Sequence, residues 1–255
     1  MPQKRPAPER RTVARGQNNW QRERASPAVI HSTAAVVDHA LAADSDDAAR
    51  WAAELGDDQA PAGAEPPRSR FAWCVTGSGH YLEESLALAA RLPRVDLFLS
   101  AAADEVLPFY GLKVEALRER FRVFLDKSAS AVPVGRLYAE AYHTVVIAPA
   151  TSNTVAKCAL GLSDTLPTNM FAQAGKLGVP SLVFACDNEP VVVTKAPRTH
   201  DTDWLTLRPR AIELENVARL RTIDFCEVLT TPDELQAALD ARLKTLKLAW
   251  NTSSS

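Results

Sequence analysis

The amino-acid sequence predicts an α/β protein: a doubly wound parallel sheet covered by helices on both faces, in three α/β/α layers, with an N-terminal disordered or helical extension. From about residue 70 onwards, apolar runs typical of strands alternate with amphipathic stretches of helical period. The strand segments are almost continuously apolar, as strands buried on both faces require. The chain has 255 residues, 46% of them hydrophobic and 24% charged, which suits one full α/β domain with additional segments.

Six segments are predicted as strands from their β-branched and aromatic residues and from the turn residues that end them. They are Phe71–Val75, Val95–Leu99, Phe121–Leu125, Thr144–Ala148, Pro180–Cys186 and Cys226–Leu229. In the strand order 3-2-1-4-5-6 of a doubly wound sheet, strands 1 and 4 are neighbours at the point where the order reverses. The turns that follow these two strands should then open into the same crevice.

Helices are predicted between the strands wherever apolar residues recur at helical spacing. Their approximate bounds are Leu82–Arg91, Arg136–Tyr142, Thr154–Gly161, Asn169–Leu177 and Pro232–Leu246. The last of these is the amphipathic helix that should close the domain.

The composition favours a cytoplasmic protein. The four cysteines lie far apart without a C-x-x-C pair, so we expect buried free thiols and a reducing compartment. No apolar run approaches the ~18 residues of a membrane span, and residues 1–24 lack the apolar centre of a secretory signal. A formal net charge of −2 does not indicate a polyanion-binding protein. We therefore expect no membrane, nucleic-acid or metal partner.

Two N-terminal segments differ in charge from the rest of the chain. Residues 1–24 carry seven basic and two acidic residues, a net charge of +5, and we expect a disordered arm. The second segment, residues 25–69, is acidic, since eight acidic residues oppose one arginine between residues 25 and 65. Apolar residues recur there at roughly helical spacing before a Pro-rich linker. Residues 70–250 should form the folded domain.

The first strand ends in the turn Thr76-Gly77-Ser78-Gly79-His80, directly before a helix. Backbone N–H groups and the helix dipole in such a turn suit a phosphate. A dinucleotide site is disfavoured because Leu82 replaces the third glycine of the G-x-G-x-x-G fingerprint and Ser100 stands where an acidic residue would bind a ribose. A mononucleotide phosphate and a tight turn without a ligand both remain open.

The fourth strand and Ala150 are followed by an unusual run of four small polar residues, Thr151-Ser152-Asn153-Thr154. One of these residues is expected to cap the following helix, since Ser, Thr and Asn are favoured there. Four in a row exceed what capping needs. The turn is therefore predicted to hold a polar heterocycle at the carboxyl end of the sheet.

These motifs resemble those of the homo-oligomeric FMN-binding flavoproteins. The likeness rests on Ala148–Thr154 followed by Lys157, Gly161 and Asp164-Thr165-Leu166, and on Thr76–Gly79 and Ser100. It covers about residues 70–240. The family includes phosphopantothenoylcysteine decarboxylases, peptidyl-cysteine decarboxylases, flavin prenyltransferases and archaeal-type flavoprotein reductases. The resemblance implies a Rossmann-like flavoprotein fold with FMN as cofactor.

Differences within the family favour a reductase. The decarboxylases carry a catalytic histidine about fourteen residues before the proline that corresponds to Pro149, where this chain has Gly135. His143, at the start of the strand, is expected to have a surface or edge role. Flavin prenyltransferases lack the Asn153-Thr154 pair. The remaining branch resembles dihydromethanopterin reductase, in which FMN passes electrons from a reduced nicotinamide or another donor to a dihydropterin in one-carbon metabolism.

The resemblance implies a role for each candidate residue. Gly77, Ser78, Gly79 and His80 would bind the FMN phosphate. The residues that would line the isoalloxazine are Ser100, Ala150, Thr151, Ser152 and Asn153. Lys157 and Asp164 would position that second loop. The catalytic residue stays unassigned, because hydride transfer from a flavin requires no strong side-chain acid or base.

The family builds its site between protomers, so we expect a closed homo-oligomer, trimeric at least and up to a larger cage. The pterin substrate should stack on the flavin near a subunit boundary. A cysteine-derived thiol decarboxylase and a non-catalytic FMN-holding regulatory protein remain alternatives.

Overall fold

The computed structural model describes residues 68–127, 131–197 and 203–251. The predicted basic arm, and the acidic segment and linker up to residue 67, lie outside the described residues. In the described part, no helix is long and apolar enough to cross a membrane. The same residues contain no group of three or more His, Cys, Asp or Glu side chains that could hold a metal ion.

Six parallel strands form the central sheet in the order β3-β2-β1-β4-β5-β8. They are β1 Arg70–Val75, β2 Val95–Leu99, β3 Arg122–Leu125, β4 Tyr142–Ala150, β5 Ser181–Ala185 and β8 Cys226–Leu229. This is the predicted order 3-2-1-4-5-6, with β1 and β4 adjacent at the switch point. The predicted doubly wound α/β architecture is thus confirmed.

Helices cover both faces of the sheet. They are α1 Leu82–Arg91, α2 Ala101–Val106, α3 Val114–Arg118, α4 Gly135–Tyr138, α5 Ser152–Leu160, α6 Leu166–Lys176, α7 Ala211–Leu220 and α8 Pro232–Leu246, with 3-10 turns at Leu107–Tyr110 and Val132–Val134. Helices α1 and α8 pack on the face that carries Phe71 and Trp73. Helices α5, α6 and α7 pack on the face that carries Cys74 and Ile147. Alternate residues of β1 therefore belong to two separate cores, as a sheet between helical layers requires.

An antiparallel hairpin follows β5 and was not predicted. It pairs β6 (Val192–Lys195) with β7 (Trp204–Leu207). The Lys195 ammonium lies 3.1 Å from the Glu83 carboxylate of α1, which ties the hairpin to the domain.

The predicted helix over Arg136–Tyr142 is wrong at its end, because Tyr142 opens strand β4. The Tyr142 hydroxyl donates at 2.7 Å to Asp96, a carboxylate without solvent exposure in β2. Arg70 adds an ion pair to Asp96 at 2.6 Å, and the Arg122 guanidinium lies 3.8 Å from the same carboxylate. A buried carboxylate needs such donors, and this requirement places Tyr142 in the sheet.

His143 does not lie at the surface as expected. Its ring is buried, packs edge-on against Phe71 and lies near the Arg242 side chain, whose guanidinium donates to the His143 carbonyl at 2.7 Å. Burial, followed by the nearby charge of Arg242, lowers the pKa of His143 to about 4.

Candidate functional site at the carboxyl edge of the sheet

The two loops predicted to share a crevice are joined by one side chain. The Thr76 hydroxyl, directly after β1, donates to the Pro149 carbonyl at 2.7 Å and accepts from the Thr151 N–H at 2.9 Å. The Thr76 N–H also donates to the Pro149 carbonyl, at 3.3 Å. These hydrogen bonds run in both directions between the two loops, so they hold the loops at a fixed separation.

The loop after β1 presents backbone donors to the crevice. Within the described part of the chain, the N–H groups of Gly77 and Gly79 donate to no other group. The His80 N–H is held by the Ser78 hydroxyl at 3.2 Å, which shapes the turn. A phosphate bound there would receive N–H hydrogen bonds directly before the α1 helix.

Both glycines of this loop lie against other residues. A Cβ atom on Gly77 would come within 2.8 Å of the Ala102 Cβ, and one on Gly79 would lie 1.9 Å from the ring of Tyr110. Tyr110 ends the 3-10 turn that follows α2. The Tyr110 ring therefore contacts the backbone at residue 79, a contact that no local sequence pattern indicates.

Ser100 reaches the same region from β2. Its N–H donates to the Val75 carbonyl at 3.1 Å, and its hydroxyl accepts from the Ala103 N–H at 3.0 Å to cap α2. The capped helix begins beside Gly77, because Ala102 is the residue that contacts this glycine.

The end of β4 departs from regular strand geometry. The ladder to β5 shifts register between Ile147 and Ala150, and the Ala148–Pro149 peptide bond is cis. The Trp73 indole N–H donates to the Ala148 carbonyl at 2.8 Å, so this buried side chain supports the turn from below. The Ala150 carbonyl accepts from the Cys186 N–H at 3.1 Å.

Thr151 is the residue of the polar run that caps a helix. Its side chain accepts from the Thr154 N–H at 3.2 Å at the start of α5. The next two residues are left for other interactions: Ser152 is half-buried and Asn153 is exposed. One residue caps and others remain available, as the sequence predicted.

Lys157 and Asp164 form an ion pair at 2.9 Å. The pair links α5 to the segment that leads into α6. Asp126, after β3, accepts from the Leu166 N–H at 2.9 Å and fixes the start of α6 near the carboxyl ends of the strands. The Lys157–Asp164 pair thus joins α5 to the segment before α6.

Strand β5 closes the third side of the crevice. Cys186 follows this strand, and its thiol lies 3.6 Å from the His80 carbonyl. Burial raises the pKa of Cys186 to about 12, so the thiol is not a nucleophile at neutral pH. Burial lowers the pKa of His80, and the carboxylates of Asp187 and Glu84 oppose this shift.

The structure therefore brings Gly77–His80, Ser100 and Ala150–Asn153 to one edge of the sheet, while Lys157 and Asp164 pair between α5 and α6. Arg136 lies at the other edge of the sheet. Its Nε donates to the Tyr142 hydroxyl at 3.0 Å, at the amino ends of the strands. Sequence reasoning missed the contacts of Trp73 and Tyr110, since both join residues far apart in the chain.

A doubly wound sheet with a donor-rich loop and a small polar turn at its switch point defines a mononucleotide-binding α/β protein. The Flavoprotein family model matches residues 60–245. The chain belongs to this family.

Relatives with curated names come from methanogenic archaea. An uncharacterised protein of Methanocaldococcus jannaschii is 37% identical over 67% of this chain and 94% of its own length. A dihydromethanopterin reductase (acceptor) of Methanosarcina mazei is 38% identical over 52% of this chain and 61% of its own length.

Among solved structures, Burkholderia xenovorans DmrB in complex with FMN, a cubic protein cage for redox transfer, is 62% identical over 72% of this chain and 100% of its own, with a TM-score of 0.67. A dodecameric FMN-dependent Ubix-like decarboxylase of Escherichia coli covers 73% of this chain and 99% of its own at 14% identity and a TM-score of 0.52. At that identity the likeness shows the fold alone.

Proposed function

We propose that this protein is an FMN-dependent oxidoreductase that reduces a dihydropterin to its tetrahydro form in one-carbon metabolism, with electrons from NAD(P)H or another reductant. One observation carries the proposal. The Thr76 hydroxyl holds a phosphate-type loop and a polar turn at the switch point of the sheet, in a chain 62% identical to a protein solved with FMN.

The residues present fit the phosphate end of FMN. Gly77 and Gly79 would donate their N–H groups, which have no other acceptor among the described residues. Side chains at these positions are excluded by Ala102 and Tyr110. Ser78 and His80 would complete the turn. Backbone N–H groups directly before a helix suit an anionic group such as the FMN phosphate.

The second loop would hold the isoalloxazine. Ala150, Thr151, Ser152 and Asn153 would line the ring on the β4 side, and Ser100 would do so from β2. The Lys157–Asp164 pair, 2.9 Å apart, would keep the α5–α6 connection in place behind this loop. Hydroxyl and amide groups of this kind can bind the polar edge of a ring without transferring protons to it.

Bound FMN would supply the redox chemistry, because it would accept two electrons from the donor and pass them on to the pterin. The protein's own contribution would be to bind and orient. Burial lowers the pKa of His80 and so disfavours its charged form. The buried His143 lies at the opposite edge of the sheet, and Gly135 carries no side chain. The chain thus lacks the histidine that the decarboxylase branch uses, which supports reduction over decarboxylation.

The quaternary structure is part of the proposal. The relative DmrB forms a cubic cage, which supports a homo-oligomer for this chain. The pterin would stack on the flavin near a boundary between protomers.

Two half-reactions test the proposal. The purified protein should be yellow or take up added FMN. Under anaerobic conditions NADH, NADPH or dithionite should bleach the flavin, and a dihydropterin should then reoxidise it with formation of one tetrahydropterin per flavin. A colourless protein that does not take up FMN would refute the cofactor assignment. Retained FMN that no dihydropterin reoxidises would favour a flavin-holding regulatory protein, and carbon dioxide release from phosphopantothenoylcysteine would favour a decarboxylase.

A further inference from the structure

A mainly apolar groove of about 500 Å³ lies at the edge of the sheet opposite to the candidate site. Its lining includes Ser181, the first residue of β5, and Phe225, which directly precedes β8. Both residues belong to the amino ends of their strands. Helices α5 and α6 supply the other walls. We call this feature the amino-edge groove.

The rim of the groove exposes large apolar side chains. Phe225 is 57% exposed and Leu162 is 54% exposed. Phe225 also has a φ of 58°, in the left-handed region that a bulky residue rarely adopts. A strained backbone that holds an aromatic ring at the surface is consistent with a contact made by that ring.

The same lining carries one cation and one anion, Lys176 and Asp224, both exposed. Within the described ranges neither forms an ion pair. Opposite charges on one surface become complementary when that surface meets its own copy across a two-fold axis, since each residue then faces the other type.

We propose that the amino-edge groove is a two-fold contact between copies of this chain. Phe225 of each copy would enter the groove of the other, and Lys176 would lie opposite Asp224 in two equivalent pairs. The inference rests on the homo-oligomeric assembly proposed above. A cage of cubic symmetry, such as the relative DmrB forms, needs contacts about at least two kinds of axis, and the proposed contact at the flavin site would supply only one of them.

Charge reversal tests the contact without disturbing the core. Lys176→Glu and Asp224→Lys each place two like-charged pairs in the contact, and each should weaken it by at least about tenfold. The double variant, Lys176→Glu with Asp224→Lys, restores opposite charges and should recover the wild-type assembly. The size of the oligomer is measured by light scattering after size exclusion. The FMN content is measured by the flavin absorbance per chain. The control is Lys247→Glu, which reverses an exposed lysine after α8.

We expect the single variants to form smaller oligomers that keep the flavin content of the wild type. Phe225→Ser should do the same through loss of the apolar contact. Wild-type mass in both single variants, no recovery in the double variant, an equal loss of mass in Lys247→Glu, or a monomeric wild type would each overturn the contact. Failure of the FMN proposal is distinguishable, because it appears as absent flavin while the pattern of masses still reports on the groove.

Discussion

Substitution of Gly79 by alanine isolates the role of the phosphate-type loop. The backbone of Gly79 is not in the left-handed region, so alanine introduces no conformational strain there. The change adds one methyl group, which would lie 1.9 Å from Cζ and Oη of Tyr110 and 2.5 Å from Cε2. Any effect therefore arises from this one contact.

The size of the effect follows from the overlap. Non-bonded carbon atoms approach to roughly 3.5 Å, so the Tyr110 ring or the loop must move by about 1.5 Å. Overpacking of this kind costs about 1–3 kcal/mol. If the loop moves, its N–H groups no longer point at one position, and we expect FMN to bind about 10- to 100-fold more weakly.

The assay is a titration of FMN fluorescence with apoprotein. Gly135→Ala is the matched control, because a Cβ at that position has no neighbour within 4 Å. It should bind FMN as the wild type does. In a Tyr110→Ala background the same Gly79→Ala change should cost less than about threefold, since the ring that it strikes is gone.

Two results would refute this reasoning. One is unchanged FMN affinity in Gly79→Ala, which would mean that the loop does not contact the cofactor. The other is an equal loss with and without the Tyr110 ring, which would place the cause outside this contact.

Three further predictions concern the loops and the stability of the domain. Thr76→Val removes the hydroxyl that joins the two loops and should weaken FMN binding about tenfold in the titration. Ser85→Ala removes a buried hydroxyl that has no hydrogen-bond partner in the described part of the chain, and it should leave FMN binding unchanged. Tyr142→Phe removes a donor from buried Asp96 and should lower the free energy of unfolding by about 1–3 kcal/mol in a urea titration; no change would contradict the network described here. The pKa of His143 is about 4 when folded and about 6.5 when unfolded, so its neutral form favours folding fully above pH 6.5 and progressively less down to pH 4. Between pH 7 and 4, His143→Gln should therefore lose about 1–2 kcal/mol less stability than the wild type, and equal losses in both proteins would exclude this assignment.

Local sequence patterns are sufficient to predict much of the fold. Strands β2 and β8 and helix α8 begin and end at the predicted residues. Each combines an apolar run with clear turn or capping residues, such as Thr231 before α8. Because parallel strands place their carboxyl ends at one edge, the same reasoning also brought the loops after β1 and β4 together.

The rest depends on contacts between distant residues. Tyr142 was assigned to a helix because local periodicity does not register a buried partner 46 residues away. The β6–β7 hairpin has strands of only four residues each, too short for a reliable alternation signal. Tyr110 meets Gly79 through a 3-10 turn that carries no motif. Contacts of this kind are visible only in the folded structure.

The distinction between reduction and decarboxylation depends on whether the structure itself requires glycine at position 135. A Cβ atom at Gly135 would meet none of the described residues within 4 Å, so packing of that atom does not require glycine. Nor does backbone geometry, because Gly135 opens α4 and is not among the residues with positive φ. Neither packing nor backbone conformation therefore explains why glycine stands at position 135. A site in which hydroxyls, amides and backbone N–H groups hold the ligand, with no histidine at position 135, suits hydride transfer, because the cofactor itself supplies that chemistry.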